Sequence, residues 1–312
     1  MSRTRSLFLS MAAAVVGLVG CGDREPEARP PTVPSPVAAP SRSVAELTGW
    51  PAGLGRALVL RLTAPEETYR LIVPELGDRR FADSSISMMV GDSVPVVLLG
   101  RWGKAGDARV RVVDAEAGAG PCVTWPSAEI VAASFGGRAG AAAWRVAAER
   151  DSVTPVVVDS LLGMREVDSL SLTRAINSLL PDVPPLADST LRGIPFAILR
   201  AHSFRVSGIS VVVAELARRS STEADPREQR LFLVGERTTD EQAHRLVYSS
   251  DATGPADGTQ VTELLVAVAS RQSRRPILVL GVEGRSGMRL RLVQRVGRWQ
   301  WRNSWTSVVT FC

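Results

Sequence analysis

Lysine is almost missing from this 312-residue chain: Lys104 stands alone among basic residues that are otherwise all arginine. Arginine keeps its charge at any physiological pH, so chemistry needing a depressed-pKa amine or a Schiff base rests on Lys104 or does not occur. Histidine is as scarce, with only His202 and His244. Neither has acidic residues spaced with it to complete a zinc site. No Gly-x-Ser-x-Gly elbow, phosphate loop or dinucleotide fingerprint occurs. Gly284-Arg285-Ser286-Gly287 is one residue short of the elbow and reads as a hairpin turn. The acidic stretch Asp251–Glu263 lacks the alternating oxygen ligands of a calcium loop and has Pro255 where a ligand belongs, so it reads as a turn. No metal and no cofactor is expected. The net charge of +5 is too small and too scattered for a nucleic-acid partner, and a mean hydropathy of +0.07 argues against a multi-span membrane protein.

What is present begins at the amino terminus. Residues 1–21 read MSRTRSLFLSMAAAVVGLVGC. Arg3 and Arg5 precede an uncharged run, Ser6 to Gly20, that has the length of a signal-peptide core and is short for a membrane span. The run ends Leu18-Val19-Gly20-Cys21, with Leu three before the cysteine and a small residue just before it. This resembles the lipobox of bacterial lipoproteins. The resemblance implies cleavage before Cys21, acylation of that cysteine (diacylglycerol and a fatty acid such as palmitate) and attachment to a cell-envelope membrane. Two or three acyl chains hold a protein firmly where one does so only marginally. The pair Gly22-Asp23 places no Asp directly after the cysteine, which leans towards the outer membrane. Loss of Arg3 and Arg5 would lower the net charge from +5 to +3.

Residues 22–43 carry six prolines and almost nothing to bury. They read as a stiff tether reaching about 60 Å at roughly 3 Å per residue. Beyond Cys21, only Cys122 and Cys312 remain. In an oxidising envelope they are disulfide candidates, closing a loop of about 190 residues worth about 5 kcal/mol. Two free buried thiols, or a catalytic Cys122 with a base nearby, are the other readings.

From Trp50 onward strand signals dominate: short Val- and Leu-rich runs bounded by Gly, Asp or Pro. In the first half they are Ala57–Thr63, Tyr69–Glu75, Ser93–Gly100 and Ala108–Asp114. Pro195–Arg200, Ser203–Val206 and Ile209–Leu216 follow the middle of the chain, and six more runs lie between Arg230 and Trp305. Val94–Trp102 with Ala108–Val113 parallels Arg275–Glu283 with Met288–Val293, and each copy then reaches a Trp. The pattern predicts two antiparallel four-stranded meander modules, as propeller blades or as halves of a duplicated sheet. Between them, Asp168–Leu180 has helical spacing in Leu172, Ala175, Ile176 and Leu179, with Asp168 or Ser169 as cap and Pro181 as stop. Ala139–Glu149 is helix or strand, its alanine content favouring helix. The expected class is β-rich α+β. The expected organisation is a leader (1–20), an acylated cysteine and tether (21–49), a first meander module (50–128), a helix-containing middle (129–200) and a second meander module (201–312).

The carboxy-terminal arginines are the strongest remaining oddity. Strand alternation puts Arg289 and Arg291 on one face, Arg298 and Arg302 on one face of the next strand, and Trp299, Trp301 and Trp305 on the opposite face of that strand. This is a basic surface for an anionic glycan, headgroup or partner protein, or a solvated sheet face backed by core tryptophans. Three functions follow: a non-enzymatic envelope lipoprotein that binds or scaffolds, a lipid-anchored hydrolase whose carboxylates meet only in the fold, and an electrostatic binder using the arginines. A pocket holding several acids, or a histidine with a perturbed pKa, would count against the first.

Overall fold

The computed structural model describes residues 48–63, 66–77, 93–114, 125–136, 143–184, 189–220 and 226–310. Cys21, Cys122, Cys312 and the tether lie outside the described residues. The fold is β-rich, antiparallel and carries one α-helix among the described residues. In chain order the strands are β1 (Leu58–Leu62), β2 (Thr68–Ile72), β3 (Ser93–Gly100), β4 (Gly103–Asp114), β5 (Ser127–Phe135), β6 (Trp144–Glu149), β7 (Val153–Pro155) and β8 (Asp159–Ser160). The helix α1 (Glu166–Leu179) follows. Then come β9 (Ala197–Val206), β10 (Ile209–Arg219), β11 (Arg227–Thr238), β12 (Arg245–Pro255), β13 (Val261–Ser270), β14 (Pro276–Gly284), β15 (Gly287–Gly297) and β16 (Gln300–Thr306).

These build four layers. A closed barrel has the order β1-β2-β5-β4-β3-β6. A middle sheet, β16-β15-β14-β13-β7, shares one core with the barrel through Val266, Ile277, Val279, Leu290, Leu292 and Trp305. An outer sheet, β12-β11-β10-β9-β8, packs on the other face of the middle sheet through Phe204, Val211, Val213, Phe232, Leu278 and Val293. The helix α1 covers the outer sheet with Leu172, Ile176 and Leu179 against Val212, Ala214 and Leu233. The layering explains the sequence. Strand β14 reads PILVLGV without alternation because both its faces are covered, and all seven of those residues are buried.

Strand membership differs from the two-module expectation. β2 pairs with β5 and not with β3, through Arg70 opposite Ser127, so the first half closes on itself as a barrel. β11 and β12 lie in the outer sheet while β14 and β15 lie in the middle one. Two consecutive four-stranded meanders do exist, β9–β12 and β13–β16, stacked face to face. Strands run across positions 128 and 200, in β5 and β9.

Three local expectations also change. Trp144–Glu149 is strand β6, not helix; its alanines fit where barrel neighbours crowd in, Ala147 and Ala148 being fully buried between β1 and β3. α1 starts after Arg165 with no side-chain cap, so neither Asp168 nor Ser169 is the N-cap. Trp301 and Trp305 point to opposite faces, one into the inter-sheet core and the other into the barrel-side core. The reason is a bulge at Ser304: Leu292 faces Trp305 and Val293 faces Asn303, so the alternation slips by one residue. Trp299 precedes β16, in the left-handed region (φ 59), with Arg245 and Arg298 against its ring.

Candidate functional site

A cleft of about 730 Å³ lies between α1 and the outer sheet and runs across β8, β9, β10 and β11. Its floor follows from one turn. Ser207 and Gly208 both have positive φ (50° and 77°), the geometry of a two-residue hairpin whose twist suits antiparallel strands. That turn sets Arg205 opposite Ser210, and the next strand sets Arg237 opposite Ser210 on its other side. Arg205, Ser210 and Arg237 therefore form one row across three strands on the helix-facing side of the sheet. The adjoining row is Asp159, Ser203, Val212 and Gly235.

His244 closes the row from the segment before β12. Its Nε2 lies 3.3 Å from Ser210 Oγ. Gly235 makes room for it: a Cβ there would stand 2.5 Å from Leu179 Cδ1, 2.8 Å from Val212 Cγ2 and 3.4 Å from His244 Cβ. Burial, reinforced by the Arg237 charge, pushes the His244 pKa down to about 4, so the imidazole is neutral at physiological pH. At the other end of the cleft, beside Asp159 and Ser160, three apolar side chains are open to solvent: Trp102, Val157 and Leu162, exposed at 49%, 56% and 78%. Arg165, on the helix side, is held by Asp168 at 2.8 Å.

Chemically, Ser210 and His244 stand at the distance of a nucleophile and its base. No carboxylate among the described residues hydrogen-bonds the imidazole, so the orienting third group of a triad is absent from that set. His202 sits on the opposite face of the same sheet, opposite Val213, so the sheet separates the two histidines. Burial, then Arg101 and Arg200, lowers its pKa to about 4, and its buried Nδ1 has no hydrogen-bond partner among the described residues. No three His, Cys, Asp or Glu side chains among the described residues are grouped to hold a metal ion. No described helix is long and apolar enough to cross a membrane.

The carboxy-terminal arginines are divided. Arg291 turns towards the outer sheet, 3.5 Å from Tyr248 Oη and 3.4 Å from Ser250 Oγ, and Arg289 is half-buried on the same face of β15. Arg298 is exposed, 3.6 Å from Asp240, and Arg302 is exposed on β16. The acidic stretch extends two strands: Asp251 and Pro255 belong to β12, and Glu263 belongs to β13.

The row Arg205–Ser210–Arg237 was not singled out from sequence. One signal for it was present: the dipeptide Ser207-Gly208 between two strand runs marks a two-residue hairpin and so pairs Arg205 with Ser210. Arg237 and His244 come from farther along the chain and leave no local pattern. The chain matches no protein-family model, and it has no significant similarity to a curated protein or a solved structure.

Proposed function

We propose that this chain is a lipid-anchored binding protein of the bacterial cell envelope, and that the cleft under α1 is its ligand site. The cleft carries the assignment: it is concave, about 730 Å³, and joins a polar floor (Arg205, Ser210, Arg237 and His244, with Asp159 and Asp168 also lining it) to exposed apolar side chains at one end. The anchor rests on Leu18-Val19-Gly20-Cys21, and the proline-rich 22–43 segment would hold the folded part off the membrane, the outer one by preference. The same compartment pairs Cys122 with Cys312, which a thiol titration of the unfolded, unreduced protein checks. Modularity enters in altered form: β9–β12 and β13–β16 are the meanders whose duplication a superposition would test.

Two measurements test the assignment. Metabolic labelling with radioactive palmitate should mark the wild type and not Cys21→Ala. Native mass spectrometry of protein released from the envelope should show a bound small molecule that Ser171→Trp, an exposed cleft position filled by a large ring, no longer retains. Retention by Ser171→Trp, or no bound molecule in the wild type, would contradict the cleft as the site.

A lipid-anchored hydrolase is the alternative, and one contact favours it, Ser210 Oγ to His244 Nε2 at 3.3 Å. Covalent labelling of Ser210 by a fluorophosphonate would establish it. The His244 pKa, lowered to about 4 in a cleft that Asp159 and Asp168 also line, counts on the side of the hydrolase.

A further inference from the structure

We propose that the ligand of this cleft is an anionic amphiphile: its carboxylate or phosphate head sits on the Arg205–Ser210–Arg237 row, and its aliphatic part runs past Met164 and Leu162 to Val157 and Trp102. The assignment deepens the binding function above and rests on it.

Charge and register carry it. Directly opposed residues in an antiparallel sheet have Cβ atoms about 5 Å apart, so the two arginine stems rise on either side of Ser210, about 10 Å from one another. Guanidinium presents a planar fork of donors that matches carboxylate and phosphate oxygens. Some arginines of the fold have acidic partners, as Arg165 has Asp168 and Arg295 has Glu236, and others have neutral hydrogen-bond partners, as Arg291 has Tyr248 and Ser250. Arg205 and Arg237 have no ion-pair partner among the described residues; Arg237 reaches only the Gln242 carbonyl, at 3.4 Å. Two cations face one concave floor and neither is ion-paired among the described residues, although Asp159 and Asp168 line the same cleft, so both guanidinium groups stay available to an anion. Between them, Ser210 and the neutral His244 supply a hydroxyl and an imidazole that add hydrogen bonds and no charge.

The apolar end sets the rest of the ligand. Trp102, Val157 and Leu162 are large, exposed and gathered near β8. Three inter-strand steps separate β8 from β11, about 14 Å, which suits a short aliphatic chain. Asp159 lies at the β8 end with Arg165, which Asp168 holds, and with Arg101 against the Trp102 ring, so the two unpaired arginines that could take the head are those of the Ser210 row.

Calorimetric titration of the purified chain with four probes, each below its micelle-forming concentration, tests this. The probes are decyl phosphate, decanoate, decyltrimethylammonium and inorganic phosphate. The two alkyl anions are expected to bind, inorganic phosphate far more weakly, and the alkyl cation not at all. The double variant Arg205→Gln/Arg237→Gln should weaken both anions by about tenfold or more, and Leu162→Ser should weaken them without changing the unfolding midpoint. Equal binding of the alkyl cation, or indifference to the arginine substitutions, would overturn the anionic assignment and leave a cleft that binds something else. Inorganic phosphate binding as tightly as decyl phosphate would overturn the amphiphile. Binding by none of the four overturns the proposal, while the retained molecule and its loss in Ser171→Trp decide separately whether the cleft is a ligand site.

Discussion

Glu236 of β11 grips Arg295 of β15 with both carboxylate oxygens, at 2.7 and 2.9 Å, and joins the outer sheet to the middle one. Glu236 has no exposed surface, the Arg295 side chain is 19% exposed, and Trp301 Nε1 donates to the same carboxylate at 2.6 Å. Removing one member of such a pair leaves the other charge buried and unpaired. Glu236→Ala is therefore expected to cost about 3 kcal/mol in urea unfolding, near the lower end for a buried pair because Arg295 retains some water. The double variant Glu236→Leu/Arg295→Met should recover most of that loss.

Arg285 and Asp257 form the opposite case. Their contact is shorter, 2.6 Å, yet the side chains are 63% and 78% exposed. Water competes for both charges and holding two mobile side chains costs entropy. Asp257→Ala is expected to change the unfolding free energy by less than about 0.5 kcal/mol, measured in the same urea titration. Environment, more than distance, separates the two pairs.

His202 and His244 give the protein an acid-sensitive stability. Each is held neutral by burial, with a pKa of about 4 against an ordinary 6.5. Between those values the unfolded chain binds protons that the folded chain does not, so stability falls as pH drops from 6.5 towards 4. Glu215, raised by burial against the pull of Arg200 and Arg230, acts in the other direction: its contribution is full below pH 4.5 and fades as pH rises through its folded pKa. Urea midpoints measured from pH 7.5 down to pH 4.5 should decline, and His202→Gln/His244→Gln should flatten the decline. Because Glu215 opposes the histidines, the deciding result is the difference: a wild-type profile that His202→Gln/His244→Gln leaves unchanged would show that neither ring is held neutral.

What could be read from the sequence was what local spacing determines. The α1 stripe of Leu172, Ile176 and Leu179 and most strand runs needed only their own periodicity, and they reappear within a few residues. Trp301 and Trp305 were placed on one face because a bulge at Ser304 has no signature in residue type. Ala139–Glu149 read as helix or strand, and the lean to helix came from weighing alanine propensity without the barrel that crowds Trp144–Glu149. The cleft needed the most long-range information. Arg205 and Ser210 are joined by a local turn, but Arg237 and His244 reach them only through the pairing of β10 with β11 and the loop that follows, and pairing register depends on which faces are buried.

Gly235→Ala tests whether the cleft and the helix share one support. Gly235 lies beneath the carboxy-terminal turn of α1, next to the bulge where β11 shifts register against β12. A methyl group there meets Leu179 Cδ1 at 2.5 Å and Val212 Cγ2 at 2.8 Å, both within the core under the helix. Such contacts are too close to persist, so α1 must lift or the two side chains must leave their rotamers, at a typical cost of 1–3 kcal/mol, or about 2. The added methyl points to the helix side of the outer sheet, away from the middle sheet and the barrel, which should keep their protection. Hydrogen exchange is therefore expected to quicken along Glu166–Leu179 and around His244 while the β14 amides stay slow. If α1 keeps its wild-type exchange in Gly235→Ala, the helix is held mainly by Leu172 and Ile176, and the glycine serves the His244 segment alone.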